Sequence, residues 1–203
     1  MGFKKFVKKV LSVLEKSKID YIIVGGLIAI YYGEPRTTQD FDVIIRVSEG
    51  DIEKISTLCS LLEREKFRII GGCESILTSI KERPHAAIYD EDYTFRIDLQ
   101  GVYSRLNVLA FEGRRRVRIF GVEAWIQGPE DLIVAKLTYY VGNRDIRDVA
   151  AILKNSYEVI DWKRMKRLAR EFGVEDRIKD LLWRLGLLYQ NENTNPRTSG
   201  RTP

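Results

Sequence analysis

The chain has 203 residues, of which 44% are hydrophobic and 31% charged, and it carries a formal net charge of +5 at pH 7. This composition excludes an intrinsically disordered protein and allows one well-buried core. No apolar run is long enough to cross a membrane, and the basic start of the chain continues as an amphipathic pattern, unlike a signal peptide. These features predict a cytoplasmic protein whose charge favours polyanionic partners.

The first predicted element is an amphipathic helix over residues 3–18. Its apolar residues recur at helical spacing, which indicates a helix that packs on a sheet. Lys4, Lys5, Lys8 and Lys9 lie elsewhere on the helical wheel, and a solvated face explains them better than a nucleic-acid patch does.

Residues 21–46 form the most informative stretch of the sequence. A buried strand, Tyr21 to Val24, ends at Gly25-Gly26, and a short helix over Leu27 to Tyr32 follows. A backbone without side chains suits a close approach to a phosphate-bearing ligand, to which it presents bare N–H groups. The glycine pair is therefore predicted to bind nucleotide phosphates.

The next strand opens with Asp40-Phe41-Asp42. Because residues i and i+2 of a strand share a face, Asp40 and Asp42 point the same way and Phe41 points to the other side. Two carboxylates this close repel each other unless a cation lies between them or one takes up a proton. Mg²⁺ is bound by such carboxylates, so this strand predicts a metal site.

Taken together, strand, Gly-Gly, short helix and Asp-x-Asp resemble the nucleotidyltransferase superfamily with the DNA polymerase beta-like palm. The form GG-x(13)-DFD with Arg36-x-Thr38-x-Asp40 is most similar to the minimal prokaryotic members, including the abortive-infection and toxin–antitoxin nucleotidyltransferases. Gly26 departs from the commoner Gly-Ser form, which removes a hydroxyl that could contact phosphates. The resemblance covers about residues 20–155 and implies an α/β (α+β) fold, a mixed sheet flanked by helices with a C-terminal helical segment.

Residues 48–92 alternate between helix and strand signals. Ser48 is the predicted N-cap of a helix over residues 49–65, and a short strand over Phe67 to Ile70 follows. Gly71-Gly72 is interpreted as a turn before a helix over residues 74–81. The acidic run of residues 90–92 is predicted to be a solvated turn between two strands, Ala86 to Tyr89 and Tyr93 to Leu99.

Asp98 lies on the second of these strands. It shares a face with Arg96 and Gln100, while Phe95, Ile97 and Leu99 face the other side. The resemblance places the third catalytic carboxylate on a strand beside the Asp-x-Asp strand, and Asp98 matches it. The alternative from the residues alone is an exposed acid on a strand.

The last third of the chain is predicted to be mostly helical. A hairpin, Arg114 to Ile119 and Val122 to Ile126, leads to a helix that starts at Gly128-Pro129 with acids in its first turn. Further helices are predicted over Asp145 to Leu153, 161–172 and 175–189. On the resemblance, Lys136 faces the nucleotide and Asp148 is the acid paired with a basic residue; a surface lysine and an ordinary helix-start acid are the alternatives.

Other reactive residues have plainer interpretations. Cys59 and Cys73 lack metal-site spacing and are predicted to be reduced, buried thiols. His85, the sole histidine, is predicted to be structural. Arg36 either pairs with a phosphate or forms a salt bridge to Asp40 or Glu34, and Thr38 is expected to order the turn by hydrogen bonding more than to contact substrate.

The resemblance implies transfer of an NMP from an NTP, such as ATP, to a hydroxyl acceptor (RNA, protein or small molecule). Asp40, Asp42 and Asp98 would be the catalytic residues and bind two Mg²⁺ or Mn²⁺ ions about 3.5–4 Å apart, with Asp98 helping to deprotonate the acceptor. Gly25, Gly26, Arg36, Thr38 and Lys136 would bind the nucleotide.

Three settings stay open at this point: an active transferase, a toxin or antitoxin that acts on tRNA or on a partner protein, and an inactive nucleotide- or RNA-binding module. The basic run of residues 114–116 fits RNA. The implied domains are a palm at 1–127, a helical subdomain at 128–189 and a disordered tail at 190–203.

Overall fold

The computed structural model describes residues 2–48, 51–82, 84–139 and 142–187. These residues form a sheet with helices on both of its faces. In chain order the elements are α1 (Phe3–Ser17), β1 (Asp20–Ile23), α2 (Gly25–Tyr32), β2 (Asp40–Arg46), α3 (Ile52–Arg64), β3 (Arg68–Ile69), α4 (Gly72–Lys81), β4 (Ala86–Tyr89), β5 (Arg96–Gln100), α5 (Arg105–Glu112), β6 (Arg115–Ile119), β7 (Val122–Ile126), α6 (Pro129–Thr138), α7 (Asn143–Asn155), a 3₁₀ turn (Tyr157–Val159), α8 (Trp162–Glu171) and α9 (Glu175–Arg184).

The sheet is mixed, as expected from the sequence, with strand order β3-β4-β5-β2-β1-β7-β6. β1 pairs antiparallel with β2 and parallel with β7, and β2 pairs parallel with β5. The carboxyl end of β1 and the amino ends of β2 and β5 therefore meet at one edge of the sheet. The glycine pair and the acids of the sequence motif all lie at this edge.

One face of the sheet is covered by α1, whose apolar stripe is buried as its periodicity predicts. The Phe6 ring lies 6.4 Å from that of Phe41 on β2 and 5.2 Å from that of Phe95, measured between centroids. Because α1 buries the side of β2 that carries Phe41, the acids on either side of Phe41 face away from this core.

On the opposite face of the sheet, α5 packs against β1 and β2. A small apolar cluster joins Ile22 and Ile44 of the sheet to Ala110 and Phe111 of α5. The sequence analysis missed this helix. Its signal was Ser104, which starts a capping box with Asn107: the Ser104 hydroxyl accepts from the Asn107 backbone N–H. Asn in place of the more common Glu or Gln makes this signature weak.

The helix α6 starts at Pro129, as predicted, and the acids of its first turn are buried. Glu130 accepts hydrogen bonds from Arg115 and from the Asp161 backbone N–H, both at 2.6 Å. Asp131 is fully buried and bonds to Arg164 at 2.8 and 3.0 Å. These ion pairs fasten α6 to β6 and α8.

Two local predictions were wrong. Ser48 does not cap α3, because Asp51 is the N-cap residue and its carboxylate accepts from the Ser48 backbone N–H at 2.8 Å. Asp90 is not solvated; it is 1% exposed, and its Oδ1 accepts from the backbone N–H groups of Thr94 and Phe95. The predicted helical residues 188–189 and the tail at 190–203 lie outside the described residues.

The prediction of free thiols was also wrong. Cys59 on α3 and Cys73 on α4 form a disulfide with a Cα–Cα distance of 5.7 Å. The two residues come together because α3 and α4 pack against each other, a tertiary contact that cysteine spacing does not reveal. The cysteines therefore give no support to the predicted cytoplasmic location. Among the described residues, no helix has the length and apolar character needed to span a bilayer.

Candidate active site

The three acids named from the sequence lie on one face of two neighbouring strands. In the parallel register of β2 and β5, Asp42 is paired with Asp98 and Asp40 with Arg96. The intervening Phe41 and Ile97 are buried on the opposite face. The strand alternation predicted from the sequence therefore holds, and it places Asp98 beside Asp42.

The glycine pair lies directly against Asp42. Gly25 has a φ of +69°, and a Cβ at this position would be 2.1 Å from Asp42 Oδ2. The Gly26 backbone N–H donates to the same oxygen at 3.3 Å. The helix α2 begins at Gly25, two residues earlier than predicted, so the carboxylate of Asp42 lies at the positive end of the helix dipole.

The environment of Asp42 shifts its ionisation. Burial raises the pKa of the Asp42 carboxyl above its ordinary value, and the negative charges of Asp98 and Asp40 raise it further, whereas the hydrogen bond from Gly26 lowers it. Ionisation of these neighbouring carboxylates together is unfavourable because they repel each other, and a bound cation would offset this repulsion.

Arg96 is part of this group of acids, and the sequence analysis did not assign it a role. Its guanidinium contacts Asp98 Oδ1, although the groups are not aligned as a hydrogen bond. Among the described residues, Asp98 Oδ1 and Arg96 Nε are buried atoms without a hydrogen-bond partner. The sequence does contain a sign of this contact, because Arg96 and Asp98 are two residues apart on one strand and therefore share a face.

The acids fit a divalent ion by chemistry and register. Carboxylate oxygens are hard ligands of the kind Mg²⁺ prefers, and Asp98 Oδ1 is a buried oxygen whose charge is paired with the Arg96 guanidinium in this structure. Their present side-chain positions do not close around a cation: in the described part of the chain, no three His, Cys, Asp or Glu residues are placed to hold a metal. Arg96 takes the position beside Asp98, so binding of a metal there requires Arg96 to move.

The turn between α2 and β2 brings Arg36 and Thr38 to the glycine pair. A Cβ on Gly26 would lie 3.2 Å from Thr38 Oγ1 and 3.3 Å from Arg36 Nη2. The Thr38 hydroxyl donates to the Asp40 carbonyl at 3.3 Å, which orders the turn as expected. Four of the predicted nucleotide-binding residues (Gly25, Gly26, Arg36 and Thr38) therefore lie together.

Arg36 forms a salt bridge, but with neither of the acids considered from the sequence. Its Nε and Nη2 both donate to Asp148 of α7 at 2.9 Å. Lys136, the fifth predicted nucleotide-binding residue, is 12% exposed and not a surface lysine; its Nζ lies 2.8 Å from Asp148 and 2.9 Å from Asp145. Asp148 thus joins the turn to α6 and α7.

Asp148 is held in its ionised form by this pairing. Burial alone would raise the pKa of the Asp148 carboxyl, but hydrogen bonds from Arg36 and Lys136 and their positive charges outweigh it, and the pKa lies below its ordinary value. Both cations that could contact a nucleotide phosphate are therefore already paired with this carboxylate.

A cleft of about 470 Å³ opens beside the start of α2 at Gly25. Asp42 and Lys136 line it together with the polar side chain of Gln100 and the exposed ring of Tyr139. His85 was predicted to be structural, but it is exposed and also lines the cleft. A cleft of this size can hold a small molecule or one nucleotide.

The basic run of residues 114–116 forms no cluster of free cations. Each arginine is paired with an acid: Arg114 with Asp20, Arg115 with Glu130, and Arg116 with Glu15. Arg114 and Arg116 also lie over the ring of Trp125. The contacts explain this run as packing of the sheet edge, so it adds nothing to the case for RNA.

Solved structures with a similar fold are nucleotidyltransferases. ANT(2″)-Ia, in complex with adenylyl-2″-tobramycin, is 14% identical, with a TM-score of 0.56 over 83% of this chain and 95% of that one. A nucleotidyltransferase-like protein from Paracoccidioides brasiliensis is 17% identical, with a TM-score of 0.52 over 89% and 91%. The lincosamide adenylyltransferase LnuA, lincomycin-bound, is 12% identical, with a TM-score of 0.51 over 73% and 94%.

At these identities the likeness concerns the fold, and it confirms the predicted nucleotidyltransferase palm. No curated protein matches the chain at a significant level. A family model for nucleotidyltransferases of unknown function, DUF6036, matches residues 2–184, and the chain belongs to this family of nucleotidyltransferase enzymes.

Proposed function

We propose that the protein transfers an NMP from an NTP to a hydroxyl group of an acceptor and releases pyrophosphate. The observation that carries this proposal is the side-by-side placement of Asp42 and Asp98, with Asp40 on the same face, against the Gly25-Gly26 bend. Acids and the amino end of α2 at one point suit the two halves of the reaction: charge neutralisation and phosphate positioning.

The acids Asp40, Asp42 and Asp98 would hold Mg²⁺ or Mn²⁺, and the bound ions would neutralise charge on the attacking and leaving oxygens. Asp98 would also accept the proton of the acceptor hydroxyl. The N–H groups of the glycine pair position the triphosphate, and Arg36 and Lys136 contact it when Asp148 releases them.

The proposed reaction defines the acceptor only as a molecule with a reactive hydroxyl group. In the structures named above, ANT(2″)-Ia carries an adenylylated tobramycin and LnuA a lincomycin, so a small molecule is one class. RNA and protein are the other classes. They would be the acceptors in a toxin–antitoxin or abortive-infection system, whose nucleotidyltransferases the sequence motif resembles.

A second candidate is a nucleotide-binding module without turnover. It is favoured by the pairing of Arg96 with Asp98 and of Arg36 and Lys136 with Asp148, because all three cations are engaged within the protein. Such a module binds NTP and releases no pyrophosphate, which separates it from the transferase.

To test this, each α-labelled NTP is incubated with Mg²⁺ or Mn²⁺, the purified protein, total RNA and lysate proteins, and the labelling of the RNA and proteins is measured. Asp42→Asn should lower labelling by about 100-fold or more, since it removes a charge that the transition state needs. Asp176→Asn, at a fully exposed acid on α9, is the matched control and should label as wild type does. An Asp42→Asn protein as active as wild type would refute the transferase.

A further inference from the structure

A second cavity, of about 570 Å³, lies apart from the cleft that Asp42 and Lys136 line. It is formed between the turn at residues 34–37 and the first two turns of α7. Arginine dominates its lining: Arg36 from the turn, and Arg144 and Arg147 from α7. The proposed transfer reaction gives no role to Arg144 or Arg147.

Two of these arginines meet at a single oxygen atom. Arg36 Nη1 and Arg144 Nη2 both donate to the Thr37 carbonyl, at 3.2 and 3.4 Å. Two guanidinium groups converge here as they would on one oxygen of a phosphate. Arg147 lies three residues after Arg144 on α7 and therefore faces the same side of the helix.

The lining of this cavity carries three arginines against two acids, Glu34 and Asp148, so a positive charge remains. Asp148 is already bound by both Arg36 and Lys136. Within the described part of the chain, neither Arg144 nor Arg147 forms an ion pair with a carboxylate, and both are exposed. Guanidinium groups held near one another repel, and an anion between them relieves this repulsion.

The position of the cavity indicates which anion it binds. The proposed site of the nucleotide phosphates is the glycine pair. The Arg36 guanidinium lies between the glycine pair and the cavity, because its Nη2 is near Gly26 and its Nη1 donates to the Thr37 carbonyl. An anion in the cavity therefore lies one guanidinium away from the nucleotide. The exposure of Arg144 and Arg147 leaves room for a chain to pass across the surface.

We propose that this cavity binds a backbone phosphate of a single-stranded polynucleotide whose hydroxyl end is the acceptor. The role of this polynucleotide as acceptor rests on the proposed transfer reaction, whereas the phosphate site itself does not. Arginine is suited to this contact because its planar fork binds two phosphate oxygens at once.

The test measures binding of a fluorescently labelled single-stranded RNA oligonucleotide by anisotropy, over a range of salt concentrations and without NTP. Arg144→Gln and Arg147→Gln should each lower the affinity about 5-fold at 0.1 M salt and reduce the salt slope, and the double variant should reduce the slope by about 0.7, the value for one lost phosphate contact. Arg147→Lys should keep most of the slope, because it keeps the charge.

Arg118→Gln is the matched control, since Arg118 is an exposed arginine on β6, outside this cavity. If it lowers the salt slope as much as the cavity variants do, or if the cavity variants leave the slope unchanged, the proposal is refuted. Thermal melts of all variants confirm that each one is folded.

A second arm of the test separates the polynucleotide from the nucleotide. The affinity for a non-hydrolysable ATP analogue, measured by calorimetry, should be the same in Arg147→Gln and wild type. An equal loss for the analogue and the oligonucleotide would assign the cavity to the nucleotide and overturn the proposal. Because no step of this test needs turnover, a protein without transferase activity would still report on the cavity.

Discussion

Gly25→Ala tests the contact on which the candidate site depends. Gly25 has a φ of +69°, and an added Cβ would lie 2.1 Å from Asp42 Oδ2, whereas ordinary contact begins at 3.4 Å. The carboxylate must therefore move by about 1.3 Å. A misplacement of about 1 Å at a reacting group costs on the order of 100-fold in rate, so we expect transferase activity to fall at least that far.

Backbone strain is a separate effect of the same substitution, and Gly72→Ala isolates it. Gly72 has a φ of +68°, but a Cβ there meets nothing within 4 Å. Both variants should lose about 1–2 kcal/mol in the free energy of unfolding, the cost of a left-handed conformation for alanine. Urea denaturation measures this loss, and pyrophosphate release measures activity.

The two glycine variants should therefore agree in stability and differ in activity. If Gly25→Ala releases pyrophosphate as fast as Gly72→Ala does, Asp42 is not held against the glycine bend for catalysis, and the geometric reasoning fails. If both variants are inactive, strain transmitted through the sheet explains the loss instead.

Three further changes test stability. Asp148→Asn should lower the free energy of unfolding by about 2 kcal/mol at pH 7, less than for a fully buried pair. Because the pKa of Asp148 is lowered in the folded state, the difference from wild type should begin to shrink as the pH falls below about 4 and should vanish below the lowered pKa, as followed by denaturant melts. Cys73→Ser should cost about 3 kcal/mol in oxidised protein and nothing in a reducing buffer, if the disulfide to Cys59 acts by restricting the unfolded chain. Arg164→Met should cost about 3–5 kcal/mol, since it leaves the fully buried Asp131 without its cation, and unchanged melting would contradict this.

Alternation and periodicity predicted most of the fold. The position of Asp98 followed from the strand pattern that buries Ile97, and the register of β2 and β5 placed it opposite Asp42. The start of α6 followed from Gly128-Pro129. These features depend on neighbours in the sequence, which is why sequence reasoning reaches them.

The features that were missed depend on residues far apart in the chain. The partner of Arg36 is Asp148, 112 residues away, and no local pattern selects it over Glu34 or Asp40. Burial of Glu130 depends on Arg115 and on the start of α8, which meet only after folding. The helix α5 was missed for a different reason, since its capping signal uses a less common residue pair.

The two outer strands of the sheet have a consequence for solubility. An unpaired strand edge is a template on which a second molecule can add a strand and start aggregation. One outer strand, β3, is two residues long and is followed by α4, which the disulfide joins to α3. The other, β6, carries the charged side chains of Arg115, Arg116 and Arg118 along its length, and charged side chains on an outer strand disfavour the addition of a further strand. Arg115 and Arg116, which suggested RNA binding in the sequence, thus protect the protein against edge-to-edge association.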